Sequence, residues 1–384
     1  MDKGRSYSGI SSIIGAVMLL ALVFLLLTTV QAFAVPTWNE ELEFDHNKDV
    51  QDDVLDLGSA IQSVASIGSP RTVSVKLGKR YPNRLVFVNP SPASGTLYTT
   101  GGFMNISHAE SRENETKDYW DGGRESFPTE LIIYEPNYNY YQDAPDIVYD
   151  NSYVYNYFRE RQNHNNSLSQ QILVTGKKIY VVALNGSLST SQVDSESYTI
   201  RPISSSSRTI SLTNSSNERI NLTMETELLP ENWSDALGEE EHVHSVSSAG
   251  SGKVNVTLEG NVTYELRMAE VGLDRTGERD AHYITNVRGN KTNVSQGSSR
   301  NLVVEVRDKF NNPVSGVTVN ASFITSEDPS EDIVPENTAT GTMGRAKFEY
   351  QAPSGQKTAE MEMNISGSPN EMEKTKFVVY VEPP

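Results

Sequence analysis

The chain contains no cysteine in 384 residues. Disulfides, thiolate nucleophiles and cysteine-ligated zinc or iron–sulfur sites are therefore excluded, and every domain must be held by core burial alone. Basic residues are scarce too: 32 Lys and Arg against 50 Asp and Glu leave a formal charge of −18. That balance argues against nucleic acid as a partner, because phosphate recognition needs clustered Lys and Arg. It suits solubility in strong salt or repulsion from acidic surfaces. Enzyme signatures are missing: there is no Gly-x-Ser-x-Gly elbow, no His-Glu-x-x-His helix, no phosphate-binding glycine loop and no dinucleotide fingerprint. No cofactor is expected, and the chain reads as a non-enzyme. A glycosidase-like pair of carboxylates has no local signature, so a secreted or anchored hydrolase with its site in 70–275 stands as the alternative.

What the chain does have is one long apolar run, GISSIIGAVMLLALVFLLLTTVQAFAV from Gly9 to Val35. As a helix, the stretch 10–35 reaches roughly 39 Å, more than the roughly 30 Å hydrocarbon core of a bilayer. Lys3 and Arg5 precede it, whereas Glu40, Glu41, Glu43, Asp45 and Asp49 follow. The basic residues set the orientation, with the amino terminus inside and the body outside. The expected location is the cell membrane, single-pass, with an extracellular body. Two fates of the segment stay open beside peptidase processing. Ala32-Phe33-Ala34 before Val35 satisfies the small-x-small rule for signal peptidase, and the segment also suits an uncleaved anchor.

A second signal is the Asn-x-Ser/Thr sequon, found at Asn105, Asn114, Asn165, Asn185, Asn214, Asn221, Asn232, Asn255, Asn261, Asn290, Asn293, Asn320 and Asn364. Chance would give roughly five in this composition. All of them lie on the side assigned as external, which predicts a glycoprotein.

After Pro36, Val50, Val54, Leu57, Ile61 and Val64 recur at steps of four and three. The spacing predicts an amphipathic helix over 36–69, ended by Gly68 and Pro70, packing either on its own domain or, as a stalk, on copies of itself. From Arg71 the period becomes two. Strands are predicted at 72–77, 84–88, 131–134, 171–175, 178–184, 209–213, 221–225, 253–258 and 261–267, with one helix at 231–242. The fold class is mainly β: a transmembrane or stalk helix, a β-rich domain over 70–275, and a separate unit over 280–384. Six strands are predicted in that last unit, the outline of an immunoglobulin-like sandwich.

LVVEVRDKFNNPVSGVTVNASF and TGTMGRAKFEY resemble the bacterial immunoglobulin-like repeats of invasin and intimin type. The resemblance rests on Asp308, Asn311, Asn312, Pro313, Val314, Gly316, Val317, Gly344 and Ala346, and implies a rigid spacer or adhesive module. Gly9-Ile10-Ser11-Ser12-Ile13-Ile14-Gly15 resembles the start of archaeal type IV pilins, with Ser8 and Ser12 where those have a basic residue and proline. That resemblance implies peptidase processing between Gly9 and Ile10, or after Gly4, and self-association with pilus subunits through the helix. The middle, LIIYEPNYNYYQDAPDIVYDNSYVYNYF, resembles large membrane-anchored proteins of haloarchaea, for which no chemistry follows.

Three clusters remain. Eight Tyr fall between Tyr134 and Tyr157, and Tyr153, Tyr155 and Tyr157 alternate on one strand face. They either fill a half-buried pleated surface or stack on surface glycans. His242 and His244 are the one closely spaced His pair, without a third ligand at motif spacing. Asp143, Asp146 and Asp150, or Glu327, Asp328, Glu331 and Asp332, are acidic without an EF-hand pattern, so no metal site is expected.

Overall fold

The computed structural model describes residues 8–159, 166–205, 208–214, 218–238, 240–325, 330–367 and 371–383. It opens with one helical rod. Helix α1 (Ser8–Thr29) passes through a π-helical turn (Val30–Ala34) into α2 (Val35–Ile67) without a break. Pro36 accounts for the π turn, since a proline ring clashes with the carbonyl four residues back and a widened turn moves that carbonyl aside. Gly68 ends the rod in the left-handed region at φ 76°, its N–H returned to the Val64 carbonyl.

The two halves of the rod have opposite surroundings. Ile13 to Leu26 carry large apolar side chains that are mostly exposed, whereas Val50, Val54, Leu57, Ile61 and Val64 are fully buried. The buried stripe packs on Val75, Tyr198, Ile200 and Val271 of one sheet and on Ile147, Tyr149 and Val154 of another. The helix expected over 36–69 is thus part of the body's core. A self-packing stalk is ruled out for 50–65, because that stripe is already covered.

The first sheet has seven strands, with Arg71–Lys76, Ser195–Ser204, Tyr264–Leu273, Ile210–Asn214 and Ala109–Ser111 in order and Lys178–Asn185 lying parallel to Tyr264–Leu273. The second has nine, built around the long hairpin of Ser94–Ser107 and Arg124–Asn137. The sheets face each other over two clusters. One is closed by α2; the other, at the far end, holds Trp120, Phe127, Tyr155 and Trp233. A short α3 (Pro230–Leu237) covers that end, shorter than the predicted 231–242 because the strand Val243–Gly250 begins there.

Residues 280–384 form a sandwich of two four-stranded sheets around Leu302, Val304, Val306, Phe348, Tyr350 and Phe377. The fold class is as expected, mainly β behind a long apolar helix. Two expectations about strands are corrected. Arg84–Val88 alternates in sequence but forms no strand, having no partner edge; it is an exposed loop beside the rod. Conversely, Ser94–Ser107, Ser195–Ser204 and Val243–Gly250 are strands despite their Ser, Thr and Gly content.

Leu57 is fully buried where the helix meets both sheets. Leu57→Ala in the full chain is expected to cost about 2–5 kcal/mol, read by denaturant unfolding of the detergent-solubilised protein; a change within error would mean the helix is not integral to the core.

Candidate functional site: the foot of the helix and the interdomain joint

At the foot of the body, α2 presents a buried run of polar side chains, Asn39, Glu43, His46 and Asn47. Glu43 lies one heptad before Val50, so it faces inward like the apolar stripe that follows. Its carboxylate accepts the backbone N–H groups of Asn139 (2.8 Å), Tyr140 (2.8 Å) and Tyr141 (2.7 Å) and the Tyr81 hydroxyl. No cation is needed, because four donors satisfy the buried acid. Two loops, around Tyr81 and around Asn139–Tyr141, are thereby fastened to the rod. His46 completes the foot, its Nδ1 2.7 Å from the Tyr138 hydroxyl. Burial pushes the imidazole down to about 4, and the positive charge of Lys79 acts in the same direction.

The second feature is the joint between the domains. Tyr119 stacks on Tyr283 with centroids 4.8 Å apart, and Phe127 meets Phe310 at 5.5 Å. Asp308, whose carboxyl burial pushes upward, accepts the Ser204 hydroxyl (2.6 Å) and the N–H groups of Asn312 and Phe310. Asn312 donates to the same Ser204 oxygen. Arg279 donates to the carbonyls of Ile203 and Ser205 on one side and Pro313 on the other. Glu305 is fully buried; burial acts to raise it, yet Arg208 and Arg307 hold its carboxyl below the usual range. Arg307 also reaches Glu115 across the joint at 2.7 Å. The Asp308-to-Pro313 turn, which carries the immunoglobulin-like resemblance, is therefore packed against the preceding domain.

The predicted site residues are scattered. Gly9 and Ile10 lie in the first turn of α1. Asn165 lies outside the described residues. Asn114, Asn261, Asn293 and Asn320 are exposed, while Asn185, Asn214, Asn221, Asn232, Asn255, Asn290 and Asn364 are partly covered. Asn105 is a correction: at 1% exposure in a central strand it has no room for a sugar. Asn221 and Asn255 bond each other (3.2 Å), and Thr257 also reaches Asn221 at 2.8 Å. Of the two readings of the tyrosines, the structure has the packing one. Tyr153 and Tyr155 are core residues packed with Trp233, so they offer no face to a glycan. His244 pairs with Glu259 while the His242 ring meets Tyr264 edge-on. Asp146 pairs with Arg159, and Asp150 accepts from Tyr155 and Thr226. Among the described residues no group of three His or carboxylate side chains has the geometry of a metal site. A cleft of about 630 Å³ at the joint is lined by Glu130, Glu225, Glu270 and Glu278 with Arg279 and His282. Sequence reasoning missed Glu43 and Arg279; an acid continuing an apolar stripe by one heptad was the legible signal for the first.

No family model matches the chain. A protein of Archaeoglobus fulgidus, described as uncharacterized, is 26% identical over 387 aligned positions, covering 97% of this chain and 63% of the relative. The chain thus spans less than two thirds of that relative's length. Similar solved structures include the D00-D0 domain of intimin (8% identity, TM-score 0.25, 47% of this chain and 94% of that one). Domains 4 and 5 of the S-layer protein SbsC (13%, 0.23, 33% and 63%) and the Yersinia pseudotuberculosis adhesin InvE (12%, 0.23, 48% and 54%) are similar to a like degree. At TM-scores this low none of them bears on function, and the sandwich stands on its own strand pairing.

Two outcomes are expected. Because the folded His46 titrates near 4 and the unfolded one near 6.5, stability is intact above pH 6.5 and falls as pH drops toward 4, by up to about 3 kcal/mol. The wild type should lose stability over that window relative to His46→Gln, measured by chemical denaturation at each pH. Buried Asp150, pushed up to about 7 by burial, contributes with the opposite sign and cancels in the comparison. Arg279→Ala should cost about 2–4 kcal/mol from lost charged hydrogen bonds at the joint. It should also split the calorimetric transition of the full chain into two; a single unshifted transition would show the joint is held without it.

Proposed function

We propose that this is a membrane-anchored, extracellular surface glycoprotein with a structural or adhesive role. The carrying observation is the unbroken rod, apolar and uncovered through Leu26, then built into the core of the body from Val50 onward. A helix exposing that many large apolar side chains is stable only where lipid or other helices cover them. The joint supports a spacing role, since stacked rings and Arg279 hold the sandwich on the body. Glycans belong on exposed Asn114, Asn261, Asn293 and Asn320.

Release by signal peptidase after Ala34 is disfavoured in this reading. Such a cut falls inside continuous helix, just before buried Val35. Pilin-like processing at Gly9 and Ile10 would leave the rod and body intact and free α1 to pack with other subunits.

The test is the amino terminus of the mature protein, read by mass spectrometry on membrane and sheared-surface fractions. A start at Ile10 or Arg5 is expected for pilin-type processing and Met1 for a plain anchor; Val35 as the sole start would overturn the proposal.

A further inference from the structure

The loop that follows Tyr81 is the most apolar exposed segment of the body. Leu85 is fully exposed, and Val86 and Val88 are 64% and 77% exposed. A loop free in solvent would not hold such side chains outward, yet this one is firmly fixed. Gln31, near the end of the apolar run, donates to the Val88 carbonyl (2.9 Å) and accepts the Val88 N–H (3.0 Å). The Arg84 guanidinium lies 5.3 Å from the Trp38 ring centre and donates to Asn39 (2.8 Å) and Asn89 (2.7 Å). Tyr81, at the start of the loop, is held by Glu43.

The level of the attachment is informative. Twenty helical residues cross the hydrocarbon core, so a span beginning near Ile10 ends near Thr29, and Gln31 falls at the boundary with the headgroups. The loop is tied to the rod at that height, beside exposed Phe33 (73%) and Trp38 (43%). Tryptophan and arginine are the side chains that suit this depth, one end apolar and the other wet. Charge agrees. In a chain of net −18, no Asp or Glu occurs from Leu57 through Ala109; Lys79 and Arg84 fall beside the apolar tip, while Arg80 is paired with Asp194. A basic, apolar loop tied by hydrogen bonds to the rod of an apolar helix matches an anionic lipid surface.

We infer that Leu85–Val88 is a second membrane contact, inserted into the headgroup region of the outer leaflet and flanked by basic side chains that meet lipid phosphates. This inference rests on the membrane reading of α1. Two points of attachment would fix the tilt of the body on the bilayer, which one helix alone leaves free.

The absence of native cysteine allows a clean test. Val86→Cys, Leu19→Cys and Ser366→Cys are labelled separately with an environment-sensitive fluorophore, and each full chain is reconstituted into phosphatidylcholine vesicles with or without phosphatidylglycerol. Lipids brominated at shallow or deep acyl positions report depth. The inference expects the Val86 probe to shift to the blue and to be quenched by shallow bromine, more so with phosphatidylglycerol. Leu19 should be quenched by deep bromine and Ser366 by neither. Quenching at Leu19 with an unshifted, unquenched Val86 probe would overturn the loop contact and leave the anchor standing. No quenching at Leu19 would overturn the anchor and the loop contact together. A Val86 shift that vanishes on dilution with lipid would assign the loop to a second copy of the chain, and would equally overturn the inference.

Discussion

The apolar stripe of α2 is the constraint on which the rest depends. Two twisted sheets packed face to face leave open ends, and here one end is closed by Val50, Val54, Leu57, Ile61 and Val64 lying between them. Full burial of each such side chain is worth about 1.5–3 kcal/mol, in a chain with no disulfide to assist. Because α2 continues α1, the element that closes the core is also the one that leaves the body. The exposed apolar segment and the core are therefore mechanically coupled: pulling that segment away from the body means opening the sandwich.

The polar foot refines that constraint. A carboxylate buried without a cation is costly unless donors surround it, and Glu43 finds three backbone N–H groups and a hydroxyl. Those partners come from loops far apart in sequence, so the foot forms only when the hairpin strands, the loop after Leu77 and the rod have all assembled. At the joint Asp308 follows the same principle, accepting the Ser204 hydroxyl and two backbone N–H groups, whereas Glu305 is balanced by the guanidinium groups of Arg208, Arg307 and Arg345. Each end of the body is thus fixed through buried acids, Glu43 toward the helix and Asp308 with Glu305 toward the sandwich.

Much of the fold was legible because period and burial are linked. The steps of four and three over Val50–Val64 and the alternation in 253–258 and 345–350 gave elements that the structure has. The same rule misled at Arg84–Val88, where alternation arises in a loop fixed by Gln31 and Asn89 rather than by a neighbouring strand. Strands rich in Ser and Thr, such as Val243–Gly250, escaped notice because their apolar face is narrow and their position is an edge. The tyrosines were visible as a pattern, but side-chain periodicity cannot say that both faces of a strand are covered; Tyr153 and Tyr155 lie in one core cluster and Val154 between them lies in the other. Some of the sequons have a related origin. Asn-x-Thr has the period of a strand, so Asn221-Leu222-Thr223 and Asn255-Val256-Thr257 put both polar groups on one face with the apolar residue inward. The joint was not legible, since Arg279 and Ser204 belong to unremarkable stretches and meet only through tertiary packing.

The continuous helix also makes azimuth a matter of counting. Each helical residue advances the chain by 1.5 Å and turns it by about 100°. From Ser8 to Ile67 there is no hinge to absorb a change of phase. The side of α1 that faces a given neighbour is therefore locked to the compass bearing of the body above it. One residue inserted before Gln31 would barely lengthen the rod yet swing the whole β-rich body through more than a quarter turn, whereas seven would return it nearly to where it began. Evolution of the apolar segment is thus freer in composition than in length.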